Sequence, residues 1–448
     1  MAGTETALML MPGYVTRDRS GSDQDLPGST DRQKSQLQLR PLLHLLQLSG
    51  FYPRHAGPSA GYLKRKSLQL LSMVAIVVSG ICFGFMVMIA YYTQQTMGIL
   101  SFDGMSSLMS AIKPLHSFFN LLCFVLTNHK HVRLVNLMER HDIFCRKVFN
   151  EGVSLRRLSV GIFLLAGFIF YGTLLLQLCQ YVILMDYNGH HFMQDLGLII
   201  IPMLALWQWM PLLYFLTLNR VILCWFCQLH RRMQTDRCQS RSMAFYFDCY
   251  NRLANVMTIF DQTFGPFIFF SLGYSVCVLC LSIYFVTQAS FETLIPEPTN
   301  EHLTLMTHFF LGWLSIQIFT AAVYTLAIPL SCTASNEQAV KIEEVVLSLP
   351  MGSDDDKHAS WCIMEKVKSL RFWGLTFWGL FPIGPSLLFS FLSIIATYAI
   401  VLLNLRQVYQ TCPPPKRLSE LAARYANASM PGGLFDHDFA GLHTLGID

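Results

Sequence analysis

Residues 128–157 read NHKHVRLVNLMERHDIFCRKVFNEGVSLRR and carry seven bases: Lys130, Arg133, Arg140, Arg146, Lys147, Arg156 and Arg157. Apolar runs flank the stretch on both sides, and the gaps beyond those runs carry no Lys or Arg. Working outward, seven apolar stretches can be read, at 68–92, 105–127, 158–185, 196–229, 264–287, 303–332 and 375–405. Each can cover a hydrocarbon core of about 30 Å, which takes about 20 helical residues. Alternate gaps are basic. The gap 230–263 holds Arg231, Arg232, Arg237, Arg241 and Arg252, and 333–374 holds Lys341, Lys357, Lys366, Lys368 and Arg371. The gaps 93–104, 186–195 and 288–302 have no base, and residues 1–67 hold nine, from Arg17 to Lys66. Lys and Arg favour the cytoplasmic side, so the pattern predicts a cytoplasmic N-terminus and, after seven spans, an extracellular C-terminus.

Composition agrees with that class. A mean hydropathy of +0.41, with 53 % hydrophobic and 13 % charged residues, describes an all-α membrane protein crossing the bilayer several times. The predicted orientation is the reverse of a G-protein-coupled receptor. The outer gaps hold Asp103, Asp186, Asp195, Glu292, Glu297 and Glu301. This rim either concentrates cations or is what charge sorting leaves behind. The 13 Cys are scattered, and Cys224 and Cys227 share a span without partners at metal spacing. No metal, cofactor or nucleic acid is expected. His190 and His191 stand together in an outer gap with no nucleophile or carboxylate set to join them, so no enzyme is expected either.

No apolar run of signal-peptide length appears in the first 66 residues. Residues 1–36 are rich in Ser, Asp, Gly, Arg and Gln, a composition that predicts a disordered cytoplasmic segment. Residues 37–410 form the seven-helix domain, and 411–448 an extracellular tail. Leu39–Leu48 is an amphipathic helix too short to span, stopped by Ser49-Gly50, and is expected at the inner interface. On the inner side, Tyr246, Tyr250, Leu253, Met257, Phe260 and Phe264 recur at spacings of 3 and 4, predicting a helix that enters span 5. Ile342, Val345, Val346 and Leu349 form a second stripe. Met364, Val367, Leu370 and Arg371 mark a third helix over 360–373, with 352–356 read as a loop. The last span is broken at Pro382-Ile383-Gly384-Pro385. Beyond the break, Ser386, Ser390, Ser393, Thr397 and Asn404 share one helical face, interrupted by Ile400 and Val401. Two readings stay open: a pore wall with a dewetting ring, or small polar residues that let helices pack closely.

The segment Thr397-Tyr398-Ala399-Ile400-Val401-Leu402-Leu403-Asn404-Leu405 resembles the C-terminal signature of arthropod gustatory receptors. That signature is Thr-Tyr, five apolar residues, then Gln-Phe; here Asn404 stands for Gln and Leu405 for Phe. Gly379–Ile383, Leu39–Pro53 and the run from Asn251 through Phe264-Gly265-Pro266 are also similar to the family. The group belongs to a seven-transmembrane chemoreceptor superfamily that includes insect odorant receptors. The resemblance implies a plasma-membrane channel of chemosensory neurons, opened by a small-molecule tastant and passing monovalent and divalent cations. It implies a homotetramer, or a hetero-oligomer with related receptors, in contact with membrane lipid. Span 7 would line the pore, and ligand would bind in the outer half of each subunit. Asn404 shortens the family's usual amide by one methylene, and the chain runs on from Arg406 to Asp448.

In that outer half the candidate ligand residues are Lys113, His116, Gln177, Gln180, Tyr181, Trp207, Gln208, Tyr284, His308, Trp313 and Gln317. Polar groups at membrane depth must find partners and gather at functional sites. Amides beside aromatic faces suit hydroxyl-rich neutral ligands, so a sugar is favoured over a bitter compound. For each residue the bland alternative is a helix-packing hydrogen bond or an interfacial aromatic belt. A transporter of a small polar solute, or a seven-helix receptor without its own pore, remains the competing reading. Asn427 heads the Asn427-Ala428-Ser429 sequon in the tail. The topology predicts glycosylation there, with an endoglycosidase-sensitive band that disappears in Asn427→Ala. An N-terminal tag reached by antibody on intact cells would contradict the predicted orientation.

Overall fold

The computed structural model of the chain describes residues 40–51, 62–97, 102–149, 153, 156–188, 192–235, 242–287, 301–349 and 354–411. The expected disordered segment 1–36 and the tail from 412, including Asn427, lie outside the described residues. The regular elements are helices: α1 Arg40–Leu48, α2 Tyr62–Met97, α3 Phe102–Leu126, α4 Asn128–Phe149, α5 Arg156–Asn188 and α6 Phe192–Thr235. They continue as α7 Met243–Thr287, α8 Glu301–Val340, α9 Ile342–Ser348, α10 Asp354–Lys368, α11 Leu370–Trp373 and α12 Pro385–Thr411. Each of the first six apolar stretches falls on its own long helix, and the seventh does so from Pro385 onward. By length and apolarity, five helices contain a membrane-crossing stretch: Leu70–Gln95, Met105–Leu126, Ile200–Thr235, Met243–Phe285 and Leu311–Ser348. Val160–Leu176 and Pro385–Val401 are shorter apolar stretches. The chain is therefore an all-helical, multi-pass membrane protein. Leu70, Met73, Val77 and Ile81 on α2, and Leu164, Phe168 and Tyr171 on α5, are exposed, as befits faces turned to hydrocarbon rather than water.

α1 is not laid flat on a surface. Leu42, Leu43 and Leu46 are buried, as is Phe51 beyond the turn. The turn works only with glycine. Gly50 has φ +86, and a Cβ there would stand 3.1 Å from the Ala75 Cβ. The freed carbonyls find donors in the bundle: Trp207 Nε1 donates to Ser49 O at 2.8 Å, and the Ser72 hydroxyl donates to Gly50 O.

The basic gap 128–157 is mostly helix. α4 buries His131, Leu134, Val135, Met138, His141, Asp142, Cys145 and Phe149, a 3–4 periodicity that its charges obscure. An aromatic knot joins it to the spans. Phe124 of α3 stacks on His131 of α4 at 4.5 Å, and Phe264 of α7 meets His131 at 5.2 Å, Tyr214 at 5.5 Å, Phe215 at 5.4 Å and Phe260 at 4.6 Å. Below the knot, Asp142 pairs with Arg146 at 2.6 Å, the Arg232 guanidinium donates to Phe149 O at 2.9 Å, and Arg252 lies over the Phe144 ring at 4.7 Å.

The stripe from Tyr246 to Phe264 is buried along its whole length, and it belongs to the same continuous helix, α7, as span 5. Ile342, Val345 and Val346 are buried on α9. The acidic run read as a loop instead opens α10. Asp354, Asp355 and Asp356 occupy its first turn, where the helix dipole favours negative charge, and Asp356 accepts the Met243 N–H at 2.9 Å.

The seventh stretch begins as a hairpin rather than a helix. Ile383 N–H bonds Leu375 O, Phe377 N–H bonds Phe381 O, and Leu380 N–H bonds Phe377 O. Thr376 pairs with Pro382 in the β-bridge. The turn's central residues, Trp378 (φ 51) and Gly379 (φ 74), are both left-handed, as a type I′ turn demands. Glycine adopts this without strain; a bulky L-residue pays about 1–2 kcal/mol. Pro385 then supplies the first residue of α12, where its missing N–H is harmless.

Two histidines of α4 make the packing around that helix acid-sensitive. Burial, assisted by the charge of Arg252, pushes His141 down to about 4. Burial, assisted by His129, pushes His131 down to about 3. Between these values and about 6.5 the unfolded chain takes up protons that the folded chain refuses. Stability is therefore intact above pH 6.5 and falls as the pH is lowered towards 4. Thermal unfolding of the detergent-solubilised protein between pH 7 and 4.5 should show this decline. His141→Gln, neutral throughout, should roughly halve the decline, leaving the share of His131, and an unchanged slope would contradict the assignment.

Candidate functional site: a buried polar cluster among four helices

At the middle of the bundle four helices turn polar side chains towards each other. His116 of α3 stacks on Tyr274 of α7, with centroids 4.2 Å apart and planes at 13°, and meets Tyr324 of α8 edge-on at 5.4 Å. Ser271 Oγ lies 3.1 Å from His116 Nε2, and Asn120 Nδ2 lies 3.3 Å from the same nitrogen. The Tyr274 hydroxyl donates to Gln317 Oε1 at 3.3 Å. The Tyr324 hydroxyl donates to the Gln208 backbone carbonyl on α6. His116, Asn120, Gln208, Ser271, Tyr274, Gln317 and Tyr324 are all buried.

The pattern of satisfied atoms has a chemical consequence. With Asn120 Nδ2 as the donor, Nε2 is the acceptor and the ring proton sits on Nδ1, an assignment set by the amide's orientation. His116 Nδ1 and Asn120 Oδ1 are both buried without a hydrogen-bond partner in the protein. One donor and one acceptor are thus left over on one turn of α3. A hydroxyl group supplies the complement of both.

Of the sequence candidates, His116, Gln208 and Gln317 come together in this cluster. Tyr284 is buried, and Trp313 packs half-buried, in an apolar cluster with Met105, Met109, Val278, Phe285 and Leu314, which Tyr274 joins to the polar one. Lys113 is half-buried one turn before His116 and has no ion-pair partner among the described residues. Trp207 points elsewhere: its indole N–H is spent on Ser49 O, clasping the α1 turn. The side chains of Gln177, Gln180, Tyr181 and His308 lie outside the described set. Sequence reading missed Asn120, Ser271, Tyr274 and Tyr324. Asn120 was legible as the i+4 neighbour of His116 on one helix face; the two tyrosines passed as apolar.

The second candidate region is α12. Its buried stripe is narrow, Leu387, Phe391 and Ile395. Ser386, Ser390, Ser393, Thr397 and Asn404 are exposed, as are Tyr398, Ile400 and Val401. Ser390 donates back to Ser386 O at 2.9 Å and Thr397 to Ser393 O at 2.8 Å. The hydroxyl protons are therefore used within the helix, and oxygen lone pairs face outward. The helix continues through Leu405, whose side chain is not among those described.

Comparison with known proteins agrees with this architecture. No protein-family model matches the chain. The insect olfactory receptor OR5 from Machilis hrabei, in complex with eugenol, superposes with a TM-score of 0.60 at 13 % identity, over 82 % of this chain and 97 % of that one. A second structure of that receptor superposes at 0.58, with 15 % identity and the same coverage. The chain thus has the fold of an insect olfactory receptor. In sequence it is similar to the probable G-protein coupled receptor egl-47 of Caenorhabditis elegans, 25 % identical over 397 residues, which is 84 % of this chain and 76 % of that protein.

The cluster makes a graded prediction. Tyr274→Phe keeps the ring on His116 and loses one long hydrogen bond, which costs about 1 kcal/mol. His116→Ala removes the stacked ring and leaves Ser271 and Asn120 short of a partner, which costs about 2–4 kcal/mol. Thermal unfolding in detergent should rank them in that order, and the reverse order would mean that the stack is not a structural centre.

Proposed function

We propose that the chain is a subunit of a gustatory-type chemoreceptor, a cation channel opened when a small molecule binds among α3, α6, α7 and α8. In this reading the protein crosses the plasma membrane seven times with its N-terminus inside. Four subunits surround a pore lined by α12, either as a homotetramer or together with related receptors. The observation that carries it is the polar face of α12, exposed in a lone subunit whose fold is that of an olfactory receptor. Polar oxygens presented along a transmembrane helix are costly against lipid and favourable against water and ions.

The unpaired donor and acceptor at His116 and Asn120 favour a hydroxyl-bearing ligand, with aromatic faces nearby for its C–H surface. This leans towards a sugar rather than a bitter compound. The cluster sits at mid-depth, so it would form the floor of a pocket opening outward past Trp313 and Lys113.

The similarity to a probable G-protein coupled receptor supports a second reading, a seven-helix receptor that signals without its own pore. Currents separate the two. The purified chain alone, reconstituted in planar bilayers, should pass cation current. Val401→Ser, which wets the apolar ring beside Asn404, should raise current in the absence of any stimulus at least several-fold. Silent bilayers from correctly folded wild-type and Val401→Ser protein would favour the poreless receptor.

A further inference from the structure

The hairpin before α12 is held by one side chain from each of two long helices. Asp261 of α7 accepts the Thr376 N–H on Oδ1 at 2.6 Å and the Thr376 hydroxyl on Oδ2 at 2.8 Å. Asn336 of α8 donates through Nδ2 to Leu375 O at 3.0 Å and to Ile383 O at 2.8 Å, and accepts the Leu375 N–H on Oδ1 at 2.9 Å. Thr376 Oγ1 accepts in turn from the Gly379 N–H at 2.8 Å, across the turn. Both strands of the hairpin are thus tied to fixed points on the bundle. Asp261 and Asn336 serve neither the polar cluster nor the face of α12.

The same two helices carry the cluster. Ser271 and Tyr274 lie on α7 with Asp261, and Gln317 and Tyr324 lie on α8 with Asn336. Along each helix the two points are separated by roughly 15–30 Å of helix, and each stretch contains one proline, Pro266 on α7 and Pro329 on α8. Among the described residues of α12, the buried stripe is narrow, Leu387, Phe391 and Ile395. Apolar contacts of that kind tolerate sliding and rotation; directional hydrogen bonds to backbone do not. The joint also carries strain. Trp378 is held at φ 51, with its ring wedged edge-on to Phe269 at 4.8 Å. Strained backbone persists only where its surroundings over-determine it, and it collects at moving parts.

We infer that Asp261 and Asn336 are positioning residues that root α12 on α7 and α8, so that displacement of those helices at the polar cluster is delivered to the pore helix through the Leu375–Ile383 hairpin. This rests on the channel reading for its functional consequence; the rooting itself does not.

The test has two arms, both on the full chain in lipid nanodiscs or bilayers. The first is amide hydrogen exchange over peptides spanning 375–395. Asp261→Ala, Asn336→Ala and Thr376→Val should speed exchange there by about tenfold, the size of effect of one lost hydrogen bond. Peptides around His116 should stay as protected as in wild type. Thr376→Ser keeps the hydroxyl and should restore the wild-type rate, which the near-isosteric Thr376→Val cannot. The second arm is single-channel recording without any added ligand. The three disruptive variants should change the spontaneous open probability at least fivefold, at unaltered unitary conductance, while Thr376→Ser behaves as wild type. Unchanged exchange at 375–383 in Asp261→Ala and Thr376→Val would overturn the rooting, whether or not the protein conducts. Faster exchange with an unaltered open probability would overturn the coupling. If wild-type protein carries no current, the channel reading fails by itself, and the exchange arm alone decides whether these residues root α12.

Discussion

The aromatic knot around Phe264 is the contact on which the arrangement depends. It lies where α3, α4, α6 and α7 meet, and its rings are fully or nearly fully buried. It joins α4 to the helices of the apolar bundle. α7 is one 45-residue helix, whose N-terminal half packs among α4, α10 and α11 and whose C-terminal half carries Ser271 and Tyr274. Aromatic rings suit this place because each contributes a large buried area with few rotamers to freeze. The knot is nonpolar enough to sit at the edge of hydrocarbon, and rigid enough to fix the angle between the two layers.

A second tier of contacts is polar and sparing. Asn219 of α6 donates to Ser331 O at 2.8 Å, and the Ser335 hydroxyl returns a bond to Asn219 Oδ1 at 2.9 Å. Trp207 and Tyr324 follow the same rule. In a medium without water, a buried polar group is stabilised by a partner on a neighbouring helix. Several buried atoms, Tyr214 Oη and Trp225 Nε1 among them, have no hydrogen-bond partner in the protein; His116 Nδ1 and Asn120 Oδ1 are two such atoms side by side at the junction of four helices.

Much of the fold was legible because hydrophobic length and base placement are coarse signals that tertiary contacts do not overwrite. The stripe from Tyr246 to Phe264 and the break at Pro382–Pro385 were read from spacing and backbone chemistry, and both have clear counterparts. Three features were not legible. α4 was hidden by its seven-base gap, because its buried stripe runs between the charges and Arg146 pairs with the buried Asp142. The hairpin at 375–383 was hidden because Trp378 sits where an Asn or Gly would signal a type I′ turn. Trp207 looked like a ligand residue because sequence cannot tell which carbonyl an indole will meet; the answer, Ser49, is far away in the chain. The site was half legible: periodicity finds the helix faces, but not which of them converge.

The central claim is that the exposed polar face of α12 borders a water-filled path between subunits. Cysteine substitution along 386–404, probed with a small water-soluble thiol reagent during current recording, tests it most directly. The account predicts block that recurs at 386, 390, 393, 397, 401 and 404, the face on which the serine and threonine oxygens lie. Block confined to the Leu387, Phe391 and Ile395 face, or absent throughout in a conducting protein, would contradict it and place conduction elsewhere.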